Sequence, residues 1–222
     1  MLMHIPDGFI SPAINIGSAA LSFGLLGYGL RKLSVKLEEK TIPLFGVIGA
    51  FLFAAQMLNF PVAAGTSGHF LGAFFAGVVL GPLNGFLIIS LVLAIQCLGF
   101  GDGGISVLGT NLLNMGVFGG IIPVLLFNLS LNYFKAGKKY FLIMAALFAW
   151  FSVVISSIMV AVELWISSIT PLKIGLTAMV STHVLIGIGE GIITFFALSG
   201  LLSVRPDLVK LWENYYERNK ER

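Results

Sequence analysis

Seven stretches of this sequence are too apolar and too long to face water, and they decide what the chain can fold into. A helix crossing a hydrocarbon layer of ~30 Å needs roughly 20 apolar residues. The stretches run over about 12–31, 42–59, 68–80, 83–99, 109–133, 140–167 and 176–203. The run from Gly68 to Phe100 exceeds one crossing, and Gly81-Pro82 followed by Asn84-Gly85 breaks it in two. Ser11 is placed to cap the first helix, with Pro12 at its first turn. In lipid every backbone polar group must be paired within its own segment, which selects helices. The expectation is an all-α polytopic membrane protein with seven transmembrane helices. Residues 1–203 form one transmembrane domain, and 204–222 form a charged tail containing a short surface helix. Composition agrees: 57% of residues are hydrophobic and 10% charged, against roughly 45–50% and 25% in soluble domains. The mean hydropathy is +0.98. These values exclude a soluble enzyme, a nucleic-acid binder and a disordered chain.

Charge placement orients the spans. With the N-terminus outside, the inner side holds Arg31, Lys32, Lys36, Lys40, Lys135, Lys138, Lys139, Arg205, Lys210, Arg218, Lys220 and Arg222. That is 12 of the 13 basic residues, with only Lys173 outside. An excess of Lys and Arg marks cytoplasmic loops, so the expected topology is N-terminus out and C-terminus cytoplasmic. Residues 1–11 lack the basic and apolar regions of a cleavable signal peptide. The single Cys97 lies in an apolar run and reads as a small packed residue.

The polar residues within the spans gather at their outer ends. Gln56 and Asn59 end the second segment, Gln96 and Asp102 the fourth, Asn111 and Asn114 open the fifth, Glu163 ends the sixth, and His183 lies in the outer part of the seventh. Any one of them reads as interhelical glue. Together they favour a site near the outer face, because polar groups in lipid normally face a bundle interior or a functional cavity.

All three histidines fall on that side. His4 precedes the first segment, and His69 opens the third after the uncharged loop 60–68, F-P-V-A-A-G-T-S-G. If translation begins at Met3, the α-amine of Met3, the His4 backbone nitrogen and the His4 imidazole form fused five- and six-membered chelate rings. Those three nitrogens are coplanar, and His69 supplies a fourth. Square-planar nitrogen coordination suits Ni(II) or Cu(II) rather than Zn(II). The backbone nitrogen loses its proton as the metal binds. Retention of Met1 and Leu2 would displace the amine and break the chelate.

Met3-His4-Ile5-Pro6-Asp7-Gly8-Phe9-Ile10-Ser11-Pro12 resembles the start of the nickel/cobalt substrate-binding membrane subunits of the NikM/CbiM family. Asn59-Phe60-Pro61-Val62 with Gly65-Thr66-Ser67-Gly68-His69, and Ser181-Thr182-His183 with Gly187-Ile188-Gly189-Glu190, resemble two further family segments. The similarity covers roughly residues 3–203. It implies the substrate-binding S-component of an energy-coupling factor transporter in the cell membrane of a prokaryote. In such a system a transmembrane coupling subunit and two ATPase subunits drive uptake, and a small accessory membrane subunit joins some of them. It implies Met3, His4 and His69 as ligands of Ni(II) or Co(II), carried as substrate. Pro6-Asp7 resembles the nickel-type start, which favours nickel over cobalt. Cobalt uptake serving cobalamin synthesis is the alternative.

Several residues are expected to support that site. His183 and Glu190 are seven apart on one helix face and are placed to orient a ligand histidine by hydrogen bonds; packing of the last helix is their other reading. Asp7 reads as a turn residue with Gly8 or as negative charge near the ion. Ser67 and Asn111 are further supporting positions. Gly46, Ala50 and Ala54 form a small-residue stripe that allows close helix approach, facing either a coupling subunit or the rest of the bundle.

No G-x-x-x-x-G-K-[ST] occurs, so the chain binds no nucleotide through a P-loop. Energy for transport must come from a partner. No nucleophile–base motif points to an enzyme. A self-sufficient cation channel or secondary carrier is the competing reading, but it needs a polar path that the inner halves of the spans lack.

Overall fold

A computed structural model describes residues 4–36, 41–57, 59–61, 67–133 and 137–220. Helix α1 covers Pro12–Lys36 and α2 Thr41–Gln56. Two short strands follow, β1 at Asn59–Pro61 and β2 at Ser67–His69. Next come α3 (Ala73–Leu80), α4 (Pro82–Phe100) and α5 (Leu108–Leu112). A π-helical stretch, Leu113–Ile121, runs from α5 into α6 (Ile122–Ser130). The chain ends with α7 (Lys138–Ile166), α8 (Leu172–Val204) and α9 (Lys210–Lys220).

Five helical segments are long and apolar enough to cross a membrane: Pro12–Leu33, Pro82–Phe100, Leu108–Ser130, Lys138–Ile166 and Leu172–Val204. The other two apolar segments are shorter. Helix α2 has 16 residues and α3 only 8. All eight residues of α3 are buried, so it packs as an interior element.

Two boundaries differ from the sequence expectation for a common reason. The second helix stops at Gln56 instead of about 59, and the third begins at Ala73 instead of about 68. The intervening backbone pairs as an antiparallel ribbon, with Asn59 opposite His69, Phe60 opposite Gly68 and Pro61 opposite Ser67. His69 therefore sits on a strand rather than at a helix start. Gly72 then takes a left-handed backbone, φ 70°, before α3, a conformation that side-chain-bearing residues rarely adopt. At the far end of α3, Gly81 (φ 89°) and Pro82 separate it from α4.

The main core is formed by α3, the inner faces of α2, α4 and α7, and parts of α6 and α8. Phe74, Phe127, Phe141, Leu52, Ile89, Leu112 and Leu198 are fully enclosed there. Helices α3 and α4 meet closely: a Cβ added at Gly85 would lie 2.6 Å from the Gly77 backbone. Helices α7 and α8 pair along their length, with Gly187 against Trp150 and Gly191 against Ala146. The tail is less free than its charge suggests. Leu211 and Tyr215 of α9, with Val209 before it, are buried in the main core, and Trp212 packs edge-on to Phe141 at 5.1 Å. Arg218 donates to Asn128 and Asn132, at 2.8 and 2.6 Å.

Candidate metal site

The N-terminal segment is bound down residue by residue onto the loop between α4 and α5. The Gly104 amide donates to the Ile5 carbonyl at 3.0 Å. The Asn111 side chain grips the same residue twice, accepting from the Ile5 amide (3.1 Å) and donating to its carbonyl (3.2 Å). Asp7 Oδ1 accepts from the Ser106 amide at 2.8 Å and its hydroxyl at 2.5 Å. These bonds hold the exposed Asp7 carboxyl below the usual carboxylate range, the Ser106 hydroxyl contributing most. Asp7 thus works as an anchor, in a turn with Gly8 at φ 86°. The Ser11 amide donates to Ser167 Oγ at 2.9 Å. Ile5, Ile10 and Val107 form a small apolar cluster against Val160 and Leu164 of α7.

This anchoring buries His4, which is 6% exposed. Among the described residues neither ring nitrogen has a hydrogen-bond partner. Its Nδ1 lies 3.4 Å from Asp102 Oδ2. Burying an imidazole without such partners is costly, so two nitrogens are left available inside the fold.

His69 meets His4 there. The two ring centroids are 5.1 Å apart, tilted by 61°. His69 Nδ1 lies 2.9 Å from the Phe70 carbonyl. A carbonyl only accepts, so Nδ1 carries the proton and Nε2 keeps its lone pair, the form that binds metal. Withdrawal from water, and the neighbouring His4 next, push the His69 pKa down to about 4. The ring is therefore neutral at physiological pH.

The strand carrying His69 is held from below. Glu190 of α8 accepts the Leu71 and Gly72 amides with its two oxygens, both at 2.8 Å. Gln56 donates to the Leu71 carbonyl at 2.7 Å. Glu190 thus fixes the backbone two and three residues beyond His69. His183 is near enough to act on His69 electrostatically. Its Nδ1 bonds the Met179 carbonyl of its own helix at 2.7 Å.

The remaining sequence expectations divide. Met3, loop residues 62–66, Lys40, Lys135 and Arg222 lie outside the described residues, as does the side chain of Ser67. Gly46, Ala50 and Ala54 are exposed on α2, opposite the buried Ile48, Leu52 and Gln56. Among the described residues no three His, Cys, Asp or Glu side chains converge as a metal site.

Two pairings were not legible in the sequence. Asp102 facing His4 joins residues 98 apart, and Asn114 donates to Glu163 across 49 residues at 2.6 Å. Their expected placement on one side of the spans was the only available signal.

A family model described as a cobalt uptake substrate-specific transmembrane region matches residues 4–208. A Haloquadratum walsbyi protein named for metal transport is 39% identical over 213 residues, covering 93% of each chain. An Archaeoglobus fulgidus protein named for fused nickel transport is 38% identical, over 94% of this chain and 68% of that relative. A crystal structure of a transition metal transporter superposes with a TM-score of 0.82 at 28% identity, covering 97% of this chain and 99% of the other.

Proposed function

Because this chain belongs to the cobalt uptake substrate-specific transmembrane family, we propose that it is the substrate-capture subunit of an ATP-driven energy-coupling factor importer for a divalent transition metal, Ni(II) foremost. The observation that carries the reading is the buried His4–His69 pair, 5.1 Å apart, with His69 locked in its metal-binding tautomer. The ligand set is the Met3 α-amine, the His4 amide and imidazole, and the His69 imidazole. Four nitrogens in a plane suit Ni(II), and the similarity to a relative named for nickel transport supports the same choice. Co(II) is the alternative, favoured by the description of the family model.

In this reading the chain lies in the prokaryotic cell membrane with seven membrane-embedded helical segments, α1 to α8 with α5 and α6 as one. The N-terminus is outside and α9 is cytoplasmic. The two short segments, α2 and α3, are enclosed among the longer ones or face a partner. The His4 segment and the strand carrying His69 meet at the ion. Glu190 and Asn111 hold those two backbones in place. The chain is not an enzyme: ATP hydrolysis belongs to two ATPase subunits acting through a transmembrane coupling subunit, with a small accessory membrane subunit where the system has one. The uncovered Gly46–Ala50–Ala54 face of α2 is the surface offered to the coupling subunit. The similarity to fused transport proteins supports a multi-component system.

Two measurements test this. The native mass of the purified protein should correspond to a chain beginning at Met3 and carrying one nickel ion. Proteoliposomes holding this chain alone should take up no nickel, and addition of the coupling and ATPase subunits with ATP should start uptake. Uptake by the chain alone would instead establish a self-sufficient carrier.

A further inference from the structure

We propose that Asp102 is the counter-charge of the bound metal, a positioning residue that neutralises the ion at the nitrogen where the chelate closes. The inference rests on the ligand set proposed above and adds a residue to it.

The chelate defines which side of His4 faces the ion. A six-membered ring from the His4 amide nitrogen through Cα, Cβ and Cγ closes only at Nδ1. Asp102 Oδ2 lies 3.4 Å from that nitrogen, within a site where the Asp102 side chain is 11% exposed and that of His4 is 2%. The carboxylate therefore stands on the metal-binding side of the ring.

The loop geometry keeps it there. Asp102 lies between Gly101 (φ 65°) and Gly103 (φ 90°), two left-handed backbone positions that turn the chain sharply after α4. Gly103 comes so close to His4 that an added Cβ would sit 2.8 Å from His4 Cβ and 3.3 Å from Asn111 Nδ2. The next residues of the loop, Gly104 and Ser106, bond Ile5 and Asp7. The segments bearing His4 and Asp102 are thus cross-linked on both sides of the pair.

The charge balance explains the need. A divalent ion that displaces one amide proton leaves a complex of charge +1, since the amine and both imidazoles are neutral. A net charge in a water-poor site is expensive, and one facing carboxylate brings the sum to zero. Removing a group of this kind next to a metal site commonly costs 10–100-fold in affinity.

The test uses the purified protein beginning at Met3, as wild type and with Asp102→Asn or Asp102→Glu, titrated with nickel chloride by calorimetry, and with the visible spectrum of the saturated protein recorded. The expected result is a tenfold to hundredfold weaker Kd in Asp102→Asn, with a spectrum identical to wild type because the four nitrogens are unchanged. Asp102→Glu, which keeps the charge, should bind nickel at least threefold more tightly than Asp102→Asn. Wild-type affinity in Asp102→Asn overturns the proposal. So do equal losses in both variants, and so does a changed spectrum, which would mark a merely structural role for the loop. If wild type binds no nickel, the ligand set fails first and this inference with it.

Discussion

The Phe70 carbonyl holds the proton of His69 on Nδ1, and burial pushes the ring's pKa down to about 4. An unfolded chain takes up that proton near 6.5. Between these values the unfolded state binds more protons than the folded one, so stability falls as pH drops. The contribution is fully present above about pH 6.5 and drains away towards pH 4. Thermal melts of the metal-free protein should show this decline, and His69→Gln should flatten it. At the same scale, Glu190→Ala strands the Leu71 and Gly72 amides in a buried place, at about 1–3 kcal/mol per donor. It should lower the melting temperature and weaken nickel binding together, because the backbone it releases carries His69; unchanged binding would separate the two roles. His4 and His69 stood out in the sequence because polar side chains are rare in this chain. Their partners were not, since a bond such as Asn114 to Glu163 depends on how distant helices rotate in the bundle.

At the level of elements, periodic apolar runs and the Gly81-Pro82 break located the helices, while the strand pair before α3 escaped notice. Asn59–Pro61 and Ser67–His69 are three residues each, too short for an alternating pattern to register. The character of α3 was equally hidden: the stretch 68–80 read as a membrane segment, and the full burial of Ala73–Leu80 is a property of the neighbours. Glycine positions separate packed faces from open ones. Gly85→Ala forces a methyl against the Gly77 backbone and should cost about 1–3 kcal/mol by overpacking. Gly46→Ala meets nothing within 4 Å and should leave the isolated subunit as stable as before, or slightly more so. Melting temperatures of the two variants in detergent check the contrast, and equal losses would mean that the α2 face is covered within the chain.

For the whole molecule, the two ends of the chain carry opposite kinds of chemistry. From His4 onward the start is a hydrogen-bonded segment that brings His4 against His69. The end is a charged helix whose apolar stripe, Leu211 and Tyr215, docks it under the core. The sparseness of charge made both ends readable, but the docking of α9 could not be inferred from a segment so rich in Lys, Arg and Glu. The apolar contact uses only a few of its side chains, and Arg218 finds Asn128 and Asn132 through the fold alone. The account as a whole rests on the N-terminal segment and the His69 strand meeting to hold one metal ion. The most direct measurement is the nickel content of the purified subunit after saturation and desalting, in wild type, His4→Ala and His69→Ala. The account predicts about one ion per chain in wild type and none retained in either variant; stoichiometric nickel in both variants would contradict it.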